Sequence, residues 1–324
     1  MRSRNYSIDI LKFICAVLVV ILHTDCRWHN AILPLTRCAV PCFLMISGFL
    51  LYDGQGIDRE RLLRSIRHIL HIMLWSTLLF IVAKELMSVV HEKTFFVPSL
   101  RQWLDFAVLN ENPFGFHLWY LGAYLYVLLI MMVVDKYNLW RLFLALTPVL
   151  LLSDLAFGKY SLLLFDHEYP YFYVRNFLFV GIPYFMIGAW LKVHIDKALS
   201  ISKITYRGGV ILFAFTSVME KMLLLHLEKS PTREHYLSTT FLAVCLFMLI
   251  LKFNWTRPSV ISGLGNRDSL YIYIFHPLFL MVLPSIIKRT PTIVRQCYSW
   301  TAPLTVLLLT MVLIFVARKT KLIK

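Results

Sequence analysis

From residue 8 onward the chain alternates long apolar runs with short polar breaks. Within each run the apolar residues are continuous, not alternating at a period of two, so the pattern predicts helices and disfavours a β-barrel. A helix that crosses a bilayer needs about 20 mostly apolar residues. Ten segments meet or approach that length: Ile8–Thr24, Arg37–Tyr52, Ile66–Val90, His117–Val134, Trp140–Phe157, Asn176–Val193, Ile204–Leu227, Tyr236–Phe253, Ser269–Ile287 and Thr301–Ala317. The second is short and contains the helix-loosening pair Ser47-Gly48. No internal repeat, low-complexity tract or long polar linker interrupts the series. The expected architecture is an all-α integral membrane protein, a single polytopic bundle of about ten transmembrane helices filling residues 1–324 as one domain, with no fused soluble domain.

Composition sharpens this. Apolar residues make up 59% of the 324 and charged residues only 16%, against about 45–50% and about 25% in soluble domains. Mean hydropathy is +0.68. A soluble enzyme, a disordered chain and a small disulfide scaffold are all excluded. The formal charge of +15 sits between the apolar runs, where it bears on membrane orientation and anionic ligands more than on nucleic acid. With the N-terminus inside, 19 of the 33 Lys and Arg fall in inner segments, 12 in outer ones, and Lys12 and Lys84 within spans. That bias places both termini in the cytoplasm of a plasma (inner) membrane protein, although the last outer loop, with Lys288, Arg289 and Arg295, runs against it. Arg2 and Arg4 before Phe13–Leu22 look like a signal peptide, but no small-residue cleavage site follows, so this reads as an uncleaved first span. The six cysteines show no CxxC spacing and read as apolar packing. No metal-ligand cluster is apparent.

Ionisable groups within spans are costly and therefore candidates for function. In the first span Asp9 lies three residues before Lys12 and can pair with it. Lys12 and His23 are eleven residues apart, about 1100° of helical turn, so they share a face about 16 Å apart along the axis. Snorkelling of Asp9 and Lys12 at the interface, with His23 packed and hydrogen-bonded, would explain the same pattern. Arg61, Arg64 and Arg67 form a basic stripe at the inner mouth of the third span. Guanidinium forks suit phosphates, and the same stripe would serve as a positive-inside anchor. His117, Trp119 and Tyr120 open the fourth span on the outer side, as a sugar-binding surface or as an aromatic belt. His276 lies in the ninth span beside Pro277, which frees backbone carbonyls. Asp154 and Glu220 are acids within spans, each a catalytic candidate or a buried pair partner.

Taken in order, these pieces resemble the acyltransferase-3 family of integral-membrane O-acyltransferases. The resemblance rests on Asp9-x-x-Lys12-x10-His23, Pro41-Cys-Phe43-Leu-Met-Ile-Ser47-Gly48-Phe49, Arg61-x-x-Arg64, His117-Leu-Trp119-Tyr120-Leu, Phe185-Met-Ile-Gly188-Ala-Trp190-Leu and Tyr271-x-Tyr273-x-x-His276-Pro, spread over residues 9–277. Lysine stands at position 12 where arginine is commoner, and Cys42-Phe43 where two phenylalanines are common. The resemblance implies transfer of an acyl group, usually acetyl from acetyl-CoA, to a hydroxyl of a cell-envelope sugar or related carbohydrate or glycolipid acceptor. Acyl-CoA would then meet Lys12, Arg61, Arg64 and Arg67 from the cytoplasmic side. His23 would act as general base or take the acyl group itself. His117, Trp119, Tyr120 and His276 would line the acceptor site, with Asp9, Ser47 and Glu220 in support. No GxSxG elbow offers a rival nucleophile. A transporter or flippase for a glycan or small polar solute is the alternative, since a polar row through ten spans would serve that too, and a sensory or scaffolding membrane protein is a third reading.

Overall fold

The computed structural model of the chain describes residues 5–91, 94–229 and 235–323. Arg2, Arg4, Lys93, Arg233 and Lys324, which enter the charge count, lie outside them. The described residues are helical almost throughout: α1 (Ser7–His23), α2 (His29–Thr36), α3 (Ala39–Leu51), α4 (Arg59–His91), α5 (Leu100–Leu109), α6 (Trp119–Lys136), α7 (Trp140–Phe157), α8 (Ser161–Phe165), α9 (Ile182–Val193), α10 (Ile195–Ser200), α11 (Lys203–His226), α12 (Leu237–Phe253), α13 (Val260–Arg267), α14 (Ser269–Ile287) and α15 (Thr292–Lys319). Among the described residues the β structure amounts to one isolated antiparallel bridge, Tyr52–Ile57.

This is an all-α membrane protein. Among the described residues, seven helical stretches are long and apolar enough to cross a bilayer: His29–Leu51, Arg59–Val89, Phe116–Lys136, Trp140–Phe157, Lys203–His226, Ser269–Ile287 and Thr292–Lys319. Phe177–Val193 and Leu237–Phe253 are shorter apolar helices, and α1 has 17 residues. Each of the ten segments expected from the sequence lies on helix, with some bounds displaced. The clearest displacement is α4, whose 33 residues extend about 50 Å, well beyond a hydrocarbon core of about 30 Å. Its first turns, with Arg61, Arg64 and Arg67, therefore project past the apolar stretch. The segment Asn176–Val193 is not one regular helix. The Asn176 side chain accepts from the N–H groups of Leu178 (2.9 Å) and Phe179 (3.2 Å), a π-helical turn runs Phe177–Gly181, and α9 restarts with Pro183, which has no N–H to continue the ladder.

The chain folds as two compact units. The first comprises residues 1–43, 199–226 and 235–324. In it α1 packs on α13 and α14, α11 on α12 and α2, and α14 on α15. Leu11, Cys15, Ala16 and Val19 of α1 are fully buried. Gly265 of α13 lies directly against the Asp9 carbonyl, where no side chain would fit, and this close approach anchors the start of α1.

The second unit comprises residues 44–198 and 227–234. Its core holds Leu128, Met131, Phe185 and Met186, among others. Here Gly48 of α3 faces the Phe185 carbonyl, and Gly188 of α9 faces the Met45 backbone. Without hydrophobic drive between helices in lipid, small residues allow the close backbone packing that holds them together. Two of the sequence motifs thus meet as one helix crossing. Trp190 is exposed, as a span-end aromatic should be, whereas Trp140 is buried with its Nε1 donating to Asp135 Oδ1 at 3.2 Å.

Candidate functional site

In the first unit His23 is the last residue of α1. The backbone leaves the helix at Thr24, which is extended, with φ −105° and ψ 117°. The Thr24 hydroxyl reaches back to the Val20 carbonyl at 2.6 Å, and the Thr24 carbonyl contacts His29 Nδ1 at 3.0 Å. These local bonds fix the end of α1 and with it the half-buried imidazole.

The partner of that imidazole comes from α14. His23 Nδ1 lies 3.1 Å from His276 Nε2, and the rings stack with centroids 5.3 Å apart and 13° between planes. His276 is fully buried, and its Nδ1 lies 3.0 Å from the Ile272 carbonyl. The order of these contacts sets the proton positions. A carbonyl oxygen only accepts, so His276 Nδ1 carries the hydrogen. A ring with one hydrogen then presents a lone pair at Nε2, and His23 Nδ1 must donate to it. In neutral His23 the basic lone pair is consequently on Nε2. Pro277 follows His276 and offers no N–H to the Tyr273 carbonyl, so the helix is looser where the histidine turns in.

The start of α1 carries the other expected pair. Lys12 Nζ donates to Asp9 Oδ1 at 3.3 Å, with the Asp9 side chain 7% and the Lys12 side chain 24% exposed. The i,i+3 pairing is as the sequence spacing requires. Glu220, on α11, accepts from the Leu237 N–H at 2.7 Å and the Ser238 hydroxyl at 3.1 Å. It satisfies donors at the start of α12, where a carboxylate is favoured.

The remaining candidates belong to the second unit. Arg61, Arg64 and Arg67 are exposed on the first turns of α4. Arg61 Nε pairs with Asp58 at 3.1 Å, and Arg64 Nε donates to the Glu60 carbonyl at 3.3 Å. His117, Trp119 and Tyr120 are all buried. His117 meets Phe80 edge-on, with ring centroids 4.5 Å apart. The Ser47 hydroxyl donates to Tyr124 at 2.9 Å, and Tyr124 stacks on Tyr120 at 5.9 Å.

Three residues beside Trp119 carry no sequence motif. Arg175 sits over the rings of Trp119 (5.2 Å) and Tyr171 (4.3 Å) and pairs with Glu111 at 3.4 Å. The Tyr171 hydroxyl donates to Glu111 at 2.6 Å. Burial first, and then the Glu111 carboxylate, push the Tyr171 phenol up to about 12. The available signal was a charge directly before an apolar run, at Arg175-Asn176. Among the described residues no group of three or more His, Cys, Asp and Glu is arranged to hold a metal ion.

Comparison with known proteins agrees with the sequence motifs. The family model described as "Acyltransferase domain" matches residues 5–317. A curated protein of Enterococcus faecalis named "Amino-acid racemase" is 24% identical over 315 residues, covering 90% of this chain and 43% of the relative. The chain thus spans under half the length of that relative. No solved structure matches. With a family match that runs nearly from end to end, the chain belongs to the acyltransferase-3 family of membrane acyltransferases.

Proposed function

We propose that the protein is an O-acetyltransferase of the plasma membrane, moving an acetyl group from cytoplasmic acetyl-CoA to a hydroxyl of a cell-envelope glycan or related acceptor, with both termini of the chain in the cytoplasm. The observation that carries this reading is the His23–His276 pair in a chain of this family. The order of contacts directs the lone pair of His23 to Nε2, and this atom takes the proton of the acceptor hydroxyl. As the proton leaves, the hydroxyl oxygen forms a bond to the thioester carbonyl carbon. Collapse of the tetrahedral intermediate breaks the carbon–sulfur bond, and the proton on His23 passes to the departing CoA thiolate. Imidazole serves here because its neutral form carries one N–H donor and one lone-pair acceptor on the same ring. His276 touches no reacting atom in this scheme and is a positioning residue for His23.

By charge, the candidates for the donor phosphates are Lys12 in the first unit and Arg61, Arg64 and Arg67 in the second, and the candidates for the acceptor are His117, Trp119 and Tyr120. Asp9 holds Lys12, Ser47 holds the tyrosine stack, and Glu220 supports α12.

The test is thioester consumption in membranes carrying the protein, with the mass of envelope glycans read in parallel. Loss of a general base removes about 10²–10⁴-fold in rate. His23→Gln is expected to insert and fold normally, to bind acetyl-CoA, and to show no detectable transfer. A variant that keeps more than about a tenth of the wild-type rate excludes His23 as base.

A further inference from the structure

The first unit holds a second polar site in which neither His23 nor His276 takes part. α13, the α13–α14 junction and the last turns of α15 enclose a cleft of about 750 Å³. Its rim carries three cations, Arg267, Arg318 and Lys319, and one acid, Asp268, so its balance is positive. Its wall is apolar, made by Met311, Ile314 and Phe315. These precede Lys319 by four to eight residues in α15 and so lie about 6–12 Å further along the helix. Charge and apolar surface are thus separated along one direction, as they are in a lipid.

The rim is only partly satisfied by the protein. Arg318 Nη2 pairs with Asp268 at 2.7 Å and donates to the Arg267 carbonyl at 3.0 Å. Its Nε is buried, with no hydrogen-bond partner among the described residues. A buried donor left unsatisfied is destabilising, and an anionic oxygen in the cleft would supply the acceptor. Arg267 and Lys319 are exposed and add charge without closing the opening. On the same side of the chain's last helix, Phe315 is 68% exposed, so the apolar wall runs out to a surface that faces lipid in a membrane.

A free phosphate would use the rim and leave the wall bare. A hydrocarbon tail alone would leave the net positive charge of the rim unmet. We propose that this cleft seats an anionic phospholipid, its phosphate against Arg267, Arg318 and Lys319 and the upper part of an acyl chain along Met311, Ile314 and Phe315. The lipid belongs to the leaflet that meets the C-terminal end of α15. It ties α13, α14 and α15 together at the end where α13 abuts Asp9.

The test uses the full chain purified in neutral detergent and doped with phosphatidylglycerol or phosphatidylcholine of the same acyl chains. Retained lipid is counted by native mass spectrometry, and thermal unfolding is followed in parallel. The wild type is expected to retain phosphatidylglycerol at least about tenfold in preference to phosphatidylcholine and to be stabilised by it. One basic residue near an anionic headgroup is worth about fivefold in affinity. The double substitution Arg267→Gln with Lys319→Gln should therefore lower phosphatidylglycerol affinity about 25-fold and leave phosphatidylcholine binding unchanged. Should the double variant fail to fold, Lys319→Gln alone should lower it about fivefold. Equal retention of the two lipids by the wild type overturns the proposal, as does an undiminished preference in the variants. Protection by inorganic phosphate alone equal to that by phosphatidylglycerol makes this a free-anion site and overturns the lipid assignment. Acetyl-CoA affinity should be unchanged in the variants. If it falls while the lipid preference stays, the cleft serves the donor instead.

Discussion

Replacing His276 tests the proton order at the histidine pair without touching the reacting atoms. His276→Phe keeps a ring of similar size against α1 but removes the Nε2 acceptor 3.1 Å from His23 Nδ1. The Nδ1 hydrogen of His23 then loses its partner. Leaving such a donor unsatisfied costs about 1–3 kcal/mol, and each 1.36 kcal/mol is a factor of ten in rate. The His23 ring escapes that cost by turning or by moving its hydrogen to Nε2, and either change removes the basic lone pair from its working position. The productive arrangement should therefore be depleted about 5- to 150-fold. The loss should fall on kcat and leave the KM for acyl-CoA unchanged, because His276 is fully buried and acts through His23. His276→Gln offers an amide oxygen in place of the imidazole nitrogen and is expected to recover activity to within about fivefold of wild type. The assay is initial-rate CoA release in proteoliposomes, with folding checked by size-exclusion chromatography. A folded His276→Phe protein with at least half the wild-type kcat refutes the reasoning. So does equal impairment of the Phe and Gln variants, because a purely steric role for His276 would not distinguish an acceptor from a hydrocarbon.

Three further outcomes follow from the contacts. Gly48→Ala and Gly188→Ala each drive a methyl group into the backbone of the facing helix, and overpacking of this kind costs about 1–3 kcal/mol. Both should lower the unfolding temperature in detergent, whereas Gly208→Ala, with nothing within 4 Å of the added carbon, should leave it unchanged or raise it. Glu220→Gln should cost about 1 kcal/mol of stability through a weaker acceptor at the start of α12, while thioester consumption stays within about threefold of wild type; a loss of a hundredfold would return Glu220 to the chemistry. Tyr171 titrates as an acid whose folded pKa is raised to about 12 from an ordinary value of about 10. The neutral phenol is therefore favoured by the fold, and its contribution is fully present below pH 10 and lost as pH rises from about 10 to about 12. The difference in absorbance near 295 nm between wild type and Tyr171→Phe should show this late titration, and a midpoint near 10 would contradict the buried bond to Glu111.

What the sequence disclosed follows from the range of each interaction. The helices were legible because membrane burial writes itself into the local composition. The Asp9–Lys12 pair was legible because three residues on a helix bring two side chains together whatever surrounds them. The break at Asn176 was not, because a π-turn ahead of Pro183 shifts the ladder without changing the apolar run. The roles of Glu220 and Arg175 were hidden for a different reason. Glu220 is an acid within an apolar span and Arg175 a charge just before one, and the sequence has no means of saying which backbone or ring each will meet. Glu220 meets the start of the next helix, and Arg175 meets two rings and a carboxylate.

His276 shows the same limit at the site itself. Its motif marked it as functional, and the family resemblance implied a place beside the acceptor. Its contact is with His23, 253 positions away in the chain, and on the proposed reading that contact makes it a positioning residue. A histidine hydrogen-bonded to a backbone carbonyl is an ordinary way to satisfy a buried ring, and taken alone it would argue for packing. The consequence arises one step further on. The Ile272 carbonyl fixes the hydrogen on His276, His276 fixes the hydrogen on His23, and the lone pair is directed to one nitrogen of the ring at the end of α1. Two bonds of about 3 Å thus select one of the two neutral forms of His23. In the proposed mechanism a base so oriented need not sort its tautomers during each turnover. Two weak sequence signals on distant helices are thus brought into one hydrogen-bonded pair.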